Sequence, residues 1–375
     1  MRGCNPKGEG MDVSAWLLIM LAGAVVLAGL AWLGRRRAVA PVRERRPPAR
    51  RNAAAGFPPD PSIAVAAGLR RELLKELHAL PFDPAAGEPA AVAGPDHARV
   101  VSHAVEALRR VGTDIRSTPR RPGLLPQLMR TLNDPDASGI AIARIVGQDP
   151  TLAARLLKIA NSALYRVQAR PVESLERAVA SVGSDGIRRL AAAALVQPVM
   201  GAPGDGVFGH LARQVWTHTA LSSAAAAEHA RRGSGADPFV VQLGGLMVGL
   251  GSAVVVRSVR EQYVRRPALV PDAGATFALL DGWSAPVARR IARQWALPDP
   301  LGLLLDAVQD EGSAAANVRS LRFGSIAASL AMLCHEGALD EQEALGRLAR
   351  VEADPDSVDP VWRRLCRSLE EGTAG

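Results

Sequence analysis

Apolar residues recur at intervals of three or four positions along most of this chain, which is the spacing of one helical face. The clearest example is the segment 148–165, QDPTLAARLLKIANSALY. Its apolar stripe consists of Leu152, Leu156, Ile159 and Ala163. Asp149 is placed to cap this helix and Pro150 to occupy its first turn, while Asn161 and Ser162 can close it through side-chain bonds to the backbone. We expect the rest of the chain to be organised around this helix.

Similar patterns predict further helices on both sides of this segment. They cover residues 62–80, 96–111, 140–146, 172–182, 187–199, 239–256, 318–334, 341–351 and 360–369, and one more helix is predicted to begin at Val215. A break is expected at residues 183–186, GSDG. Short helices joined by short turns, without segments that alternate like strands, predict an all-α fold.

The longest apolar run, residues 13–33, contains 21 residues and no charge. As a helix it would be about 31 Å long, which matches the hydrocarbon core of a membrane. Trp16 and Trp32 lie near its two ends, where indole rings favour the interface. A secretory signal peptide is the alternative, but the run is too long for one and an arginine cluster follows it. The sequence therefore predicts a single transmembrane helix.

The positive charge of the chain is concentrated just after this run. Residues 34–51 carry a net charge of +7 out of the total of +8, so residues 52–375 are close to neutral. The basic pI therefore gives no support for nucleic-acid binding. The cluster at the membrane surface comprises Arg35, Arg36, Arg37, Arg43, Arg45 and Arg46. Its position predicts that the bulk of the protein is cytoplasmic, and it can also contact anionic headgroups.

Six short motifs follow one another in order between residues 125 and 183. They are Leu125-Pro126, Asp134-Pro135-Asp136 with Ser138, Gln148-Asp149-Pro150 with Leu152, Ala160–Ala163 with Tyr165, Ser174 before Ala178-Val179, and Val182-Gly183. Together they resemble the signature of the HDOD domain, a helical module related to the HD phosphohydrolases. The resemblance implies a helical N-terminal half followed by a degenerate HD-like half.

The second half resembles an HD domain that has lost its metal ligands. Trp216 and His218 stand where the family usually has Trp-x-His, and residues 245–251 read GLMVGLG where active relatives carry Gly-Leu-Leu-His-Asp-Ile-Gly. The His-Asp pair is thus replaced by Val248 and Gly249. HD-type hydrolysis needs His and Asp ligands to hold metal ions that activate water, and one His cannot do so. The resemblance therefore implies a vestigial site at His218, Val248 and Gly249, with no metal, no cofactor and no catalysis.

These features divide the chain into six segments. They are a short extracytoplasmic N-terminus (1–12), the transmembrane helix (13–33), a basic linker rich in Pro and Ala (34–61), a helical spacer (62–112), the HDOD domain (113–312) and a C-terminal helical extension (313–375). The spacer could instead be a dimerisation element or part of the main domain. Residues 239–256 could be a buried helix or a second membrane span, and translation could begin at Met1 or at Met11.

The predicted function is that of a non-catalytic signalling scaffold in the bacterial inner membrane. The resemblance implies a signalling protein as partner, either a response regulator or a cyclic-dinucleotide enzyme, and self-association is left open. The predicted interaction surface comprises Asn161, Ser162, Tyr165 and Arg166, although these residues could simply close their helix. Two alternatives remain: a sensor of a nucleotide or other small ligand in the vestigial pocket, and a cryptic metal-dependent phosphohydrolase that uses other carboxylates.

Overall fold

Every regular element in the part of the chain that the computed structural model describes is a helix. The described residues are 61–82, 94–114, 118–132, 134, 137–166, 170–196, 205–233, 235–352 and 354–372. Their helices are α1 (Pro61–Ala79), α2 (Pro95–Arg109), α3 (Leu125–Leu132), α4 (Gly139–Val146), α5 (Pro150–Asn161), α6 (Leu175–Val196), α7 (Gly206–Arg231), α8 (Pro238–Val264), α9 (Ala273–Gln294), α10 (Asp299–Ala307), α11 (Ala316–His335), α12 (Glu341–Leu348) and α13 (Pro355–Glu370). The predicted all-α fold class is confirmed. The predicted transmembrane helix and arginine cluster lie outside the described residues.

The predicted caps of α5 are present. The Asp149 carboxylate accepts hydrogen bonds from the backbone N–H groups of Thr151 and Leu152, at 2.9 and 3.2 Å. Pro150 occupies the first turn, and the Ser162 hydroxyl donates to the carbonyl of Ile159 at 2.7 Å. These contacts satisfy backbone groups that a helix leaves unpaired at its ends. The helix therefore begins and ends where its polar residues predict.

The chain between residues 175 and 196, described here as α6, consists of two helical segments that meet at a kink. Gly183 has φ of +70°, inside the left-handed region that favours glycine, and marks the kink in α6. The predicted break between two helices is therefore present, at the first residue of the segment 183–186. One predicted boundary was wrong: α7 begins at Gly206 instead of Val215. Helix α6 is described as far as Val196.

Helix α8, and not α5, lies at the centre of the bundle. It packs against six others, α2, α6, α7, α9, α10 and α11. The prediction that α5 is the organising element is therefore wrong. Helix α5 packs mainly against α6, at one side of the bundle. An amphipathic stripe is typical of a helix at the edge of a core, whereas a helix that is apolar on all sides is buried.

The glycines of α8 let neighbouring backbones approach closely. A Cβ atom at Gly245 would lie 2.9 Å from Cβ of Ser223 on α7, and one at Gly251 would collide with the Ser284 carbonyl on α9. Helix α8 is also the one described helix long and apolar enough to cross a membrane, but 67 % of its most apolar 18-residue window is buried in the bundle. Of the two interpretations of residues 239–256, this packing favours the buried helix.

The helices before and after the family signature pack in the same compact unit, which spans Pro59–Gly375. Helix α1 packs against α11, α9 and α7, helix α2 against α8 and α9, and helix α13 against α11 and α7. The predicted limits of the HDOD domain, residues 113 and 312, come from the family resemblance. They do not separate parts of the chain that pack independently. Residues 62–112 could be a spacer, a dimerisation element or a part of the main domain, and this packing favours the last interpretation.

Candidate functional site

The three residues of the predicted vestigial site meet in one place. His218 lies on α7, Val248 and Gly249 lie on the adjacent α8, and all three line a cavity of about 340 Å³, here called the HD pocket. Residues from α1, α9 and α11 complete its walls. Sequence reasoning thus located this pocket from segments about 30 residues apart.

Gly249 leaves no room for a larger side chain. A Cβ atom there would overlap the side chain of Thr219 on α7. Thr219 is buried and its hydroxyl donates to the Val215 carbonyl at 2.6 Å, so it is held in place. An Asp at position 249 would therefore need a local separation of α7 from α8.

His218 is held by contacts within the fold. Its Nε2 lies 3.3 Å from the carbonyl of Ser325 and 3.2 Å from the hydroxyl of Ser329, both on α11. Burial lowers the pKa of His218 to about 4, although the hydrogen bond to Ser325 opposes this shift. His218 is therefore neutral at physiological pH.

A second histidine, which the sequence did not reveal as part of the site, faces His218 across the pocket. The ring centroids of His78 on α1 and His218 are 6.5 Å apart. Burial, with His218 and Arg70 nearby, lowers the pKa of His78 to about 3. Its Nδ1 is buried and has no hydrogen-bond partner among the described residues. The two histidines are 140 positions apart in sequence, so no local spacing could have linked them.

Charged groups surround this histidine pair. Asp281 accepts from Arg71 at 2.9 Å, and Arg322 donates to the carbonyls of residues 310, 311 and 313 at 2.7–2.8 Å. Arg70 lines the pocket without a direct hydrogen bond or ion pair in the described part of the chain. The buried hydroxyl of Ser325 also has no partner there. The pocket thus contains polar groups that have no hydrogen-bond partner among the described residues.

The residues of the HD pocket do not fit the metal centre of the HD phosphohydrolases. Val248 and Gly249 provide no ligand atoms, and Asp281 is engaged by Arg71. In the described ranges no group of three or more His, Cys, Asp or Glu residues is arranged to hold a metal ion. A catalytic zinc site, for comparison, uses three protein ligands and an open position.

The four residues of the predicted interaction surface lie together at the end of α5, but most of them make internal contacts. Asn161 bonds to the backbone of Val172, and the Ser162 hydroxyl closes the helix. The Tyr165 hydroxyl accepts from Gln242 of α8 at 2.9 Å. Arg166 is exposed and pairs with Glu371 at 3.1 Å. The interaction role of these residues stays a prediction.

The described helices form an all-helical domain around a polar pocket that contains two histidines. The chain belongs to the HDOD domain family: the family profile matches residues 118–310, about half of the chain. The resemblance inferred from the motifs is therefore confirmed. Comparison with curated proteins gives no match.

Several solved structures are similar to this chain. Two come from Shewanella amazonensis SB2B, one provisionally named a metal-dependent phosphohydrolase and the other a phosphohydrolase. Each is 18 % identical to this chain, with a TM-score of 0.50. The alignment with the first covers 73 % of this chain and 99 % of the Shewanella chain, and the alignment with the second covers 72 % and 98 %. An HDOD domain protein of unknown function from Geobacter sulfurreducens is 21 % identical, with a TM-score of 0.48 and coverages of 73 % and 96 %. At these identities the likeness to the two Shewanella structures shows the fold alone.

Proposed function

We propose that this chain is a non-catalytic regulatory protein of the bacterial inner membrane, whose HDOD region docks a signalling protein. The observation that carries the proposal is the pair Val248 and Gly249, which the family resemblance aligns with the HD metal ligands. Neither residue offers a side-chain ligand atom, and Gly249 lies against the buried Thr219, which leaves no room there for a larger side chain. An HD-like domain in this condition regulates by binding and not by metal-dependent hydrolysis.

The docking surface is proposed at Tyr165 and Arg166, where the end of α5 meets the end of α13. The Arg166 side chain is 37 % exposed and pairs with Glu371, which is 41 % exposed. Exposed ion pairs of this kind contribute little to stability. A carboxylate of a partner can therefore replace Glu371 at small cost. The proposed partner is a response regulator or a cyclic-dinucleotide enzyme.

Cross-linking and affinity capture of the full-length protein from native membranes test this proposal. The Arg166→Glu variant reverses the charge at the surface. Arg177→Glu is the matched control, because Arg177 is an exposed arginine of α6 that also pairs with a carboxylate, that of Glu173, at 3.8 Å. We expect a signalling protein to be captured by the parent and the control and lost from Arg166→Glu. Capture of the same protein by all three would refute this docking surface, and capture of no signalling protein would refute the scaffold function.

The HD pocket supports a second candidate function, a small-ligand sensor. Buried polar atoms in proteins almost always have partners, yet Nδ1 of His78 and the Ser325 hydroxyl have none among the described residues. A bound nucleotide could supply both, and its phosphate could pair with Arg70. Arg70 and His78 belong to α1, the helix that follows the linker, so occupancy would be linked to the packing of that helix.

Ligand-dependent thermal unfolding tests the sensor function, because a ligand that binds only the folded protein must stabilise it. The probes are AMP and GMP, added to the full-length chain. We expect either nucleotide to raise the melting temperature, and Arg70→Gln to abolish the increase. Lys75→Gln, an exposed change on the same helix, should leave it intact. An increase that survives Arg70→Gln would place binding elsewhere.

A further inference from the structure

A second polar cavity lies where α6, α7, α8 and α13 meet, about 280 Å³ in volume and here called the seam cavity. Its charged lining residues are Arg189, Glu228, Arg231 and Arg364. Three guanidinium groups therefore face this space with a single carboxylate. Arg189 is half-buried, and Arg231 and Arg364 are 40 % and 46 % exposed, so water screens part of this excess positive charge and a negative group would offset the rest.

The single carboxylate is already fully engaged. Glu228 accepts from Arg364 at 3.3 Å and from Arg232 at 3.1 Å, and it also pairs with Arg231. Glu228 is only 9 % exposed, so these arginines converge on one buried anion. The Arg189 side chain has no hydrogen bond or ion pair within the described ranges. Asp185 and Tyr165 act on Arg189 only through their charges, so its guanidinium has no direct counter-ion in the described part of the chain.

The electrostatics of the cavity agree with this geometry. Burial, together with the neighbouring arginines Arg189, Arg364 and Arg232, lowers the pKa of Arg231 to about 10. Burial also lowers the pKa of Arg189 and of Arg364, and the charge of Arg364 adds to the lowering at Arg189. A negative ligand between them would offset this repulsion.

An unused acceptor lies beside the arginines. Gln242 is fully buried and lines the seam cavity, and its Nε2 donates to the Tyr165 hydroxyl at 2.9 Å. Its Oε1 has no donor among the described residues. An acceptor in this position calls for a donor from whatever occupies the cavity, such as a hydroxyl group.

We propose that the seam cavity binds a small phosphorylated molecule that carries a hydroxyl group. Its phosphate oxygens accept from Arg189 and Arg364, since the guanidinium fork matches a phosphate in a bidentate manner. Its hydroxyl group donates to Oε1 of Gln242. The inference does not rest on the scaffold proposal, because Arg189, Arg364 and Gln242 are not proposed to dock a partner; the two sites share Tyr165, which lines the cavity and accepts from Gln242.

Calorimetric titration of the full-length chain at constant ionic strength tests this site, with inorganic phosphate and ribose 5-phosphate as probes. We expect both to bind, and Arg189→Gln to weaken both by about tenfold or more, as expected for loss of a charged hydrogen-bond donor. The matched control is Arg363→Gln, an exposed change next to Arg364 and outside the cavity lining. It should change affinity by less than about twofold, the effect of a distant exposed charge.

Three further variants make the outcome decisive. Gln242→Leu should weaken ribose 5-phosphate and leave inorganic phosphate unchanged, because only the sugar phosphate offers a hydroxyl group to this position. Arg364→Gln repeats the test should Arg189→Gln fail to fold. Arg70→Gln should have no effect on either probe, since it changes only the HD pocket. Absence of binding to the parent, or equal binding by the seam variants and Arg363→Gln, would overturn the proposal.

Discussion

The side chain of Asn161 pairs with the backbone of Val172 in both directions. Its Nδ2 donates to the Val172 carbonyl at 2.8 Å, and its Oδ1 accepts from the Val172 N–H at 2.6 Å. The amide thereby joins the end of α5 to the residues that precede α6. A carboxamide is the group that can both donate and accept in this way. Asn161 therefore has a structural role, whatever binds nearby.

Replacing Asn161 by Ala should destabilise the domain. Both backbone groups of Val172 would lose their partners, and we expect the free energy of unfolding to fall by about 2 kcal/mol. Asn161→Asp retains the acceptor and should be less destabilising. Urea denaturation of the full-length chain measures both. Unchanged stability of Asn161→Ala would show that water replaces the bonds at no cost.

Gly249→Ala should also be destabilising, although alanine is normally the better helix former. The added methyl group overlaps Thr219, and we expect a loss of about 1–3 kcal/mol. Gly68→Ala on α1 is the matched control, because a Cβ atom added there would meet no atom within 4 Å; it should stabilise by about 0.5–1 kcal/mol. Thr219→Ala should reduce the cost of Gly249→Ala. If both glycine variants behave alike, α7 and α8 leave more space at position 249 than a methyl group needs.

Stability should fall in acid partly because of His78 and His218. Their pKa values in the folded protein, about 3 and about 4, lie below the ordinary value of 6.5. The unfolded chain therefore binds protons that the folded chain cannot, and stability present above pH 6.5 is lost as the pH falls toward 4. Each histidine contributes about 1.4 kcal/mol per pH unit within this window.

Thermal or urea unfolding between pH 7 and pH 4.5 checks this dependence. We expect His78→Gln to have a shallower decline in stability with falling pH than the parent. His210→Gln is the control, since His210 is exposed on α7. Identical slopes for the parent and His78→Gln would contradict the burial of a neutral imidazole at this position.

Carbonate-resistant insertion into the membrane should depend on residues 13–33 alone. We expect deletion of residues 1–34 to release the protein into the soluble fraction, because α8 is largely buried by its neighbours in the bundle. Fractionation with carbonate extraction measures this. Retention of the truncated protein in the membrane would mean that α8 contacts lipid.

The sequence correctly predicted structural features that depend on neighbouring residues in the chain. The Asp149 cap, the Pro150 start and the bend at Gly183 each depend on residues within one or two helical turns, and each is present. The central position of α8 was missed, because it depends on which helices pack around it. Its glycines lower its apparent hydrophobicity, yet they are what permits close packing against α7 and α9.

At the candidate site, too, some residues could be predicted from the sequence and others could not. The motif around Val248 and its relation to His218 could be predicted from the family resemblance. His78 could not, because α1 lies outside the matched residues and its partner is far away in sequence. The seam cavity was missed for a similar reason: Arg189, Arg231 and Arg364 come from three separate helices.

The central claim is that this HDOD chain has lost the metal centre of its catalytic relatives. Its most direct test is the metal content of the full-length protein, purified from cells supplied with manganese and iron and measured by mass spectrometry. We expect less than about 0.1 ion per chain, since two histidines without a carboxylate ligand do not retain a metal. One or more ions per chain, lost in His218→Ala, would contradict the claim and favour the phosphohydrolase alternative.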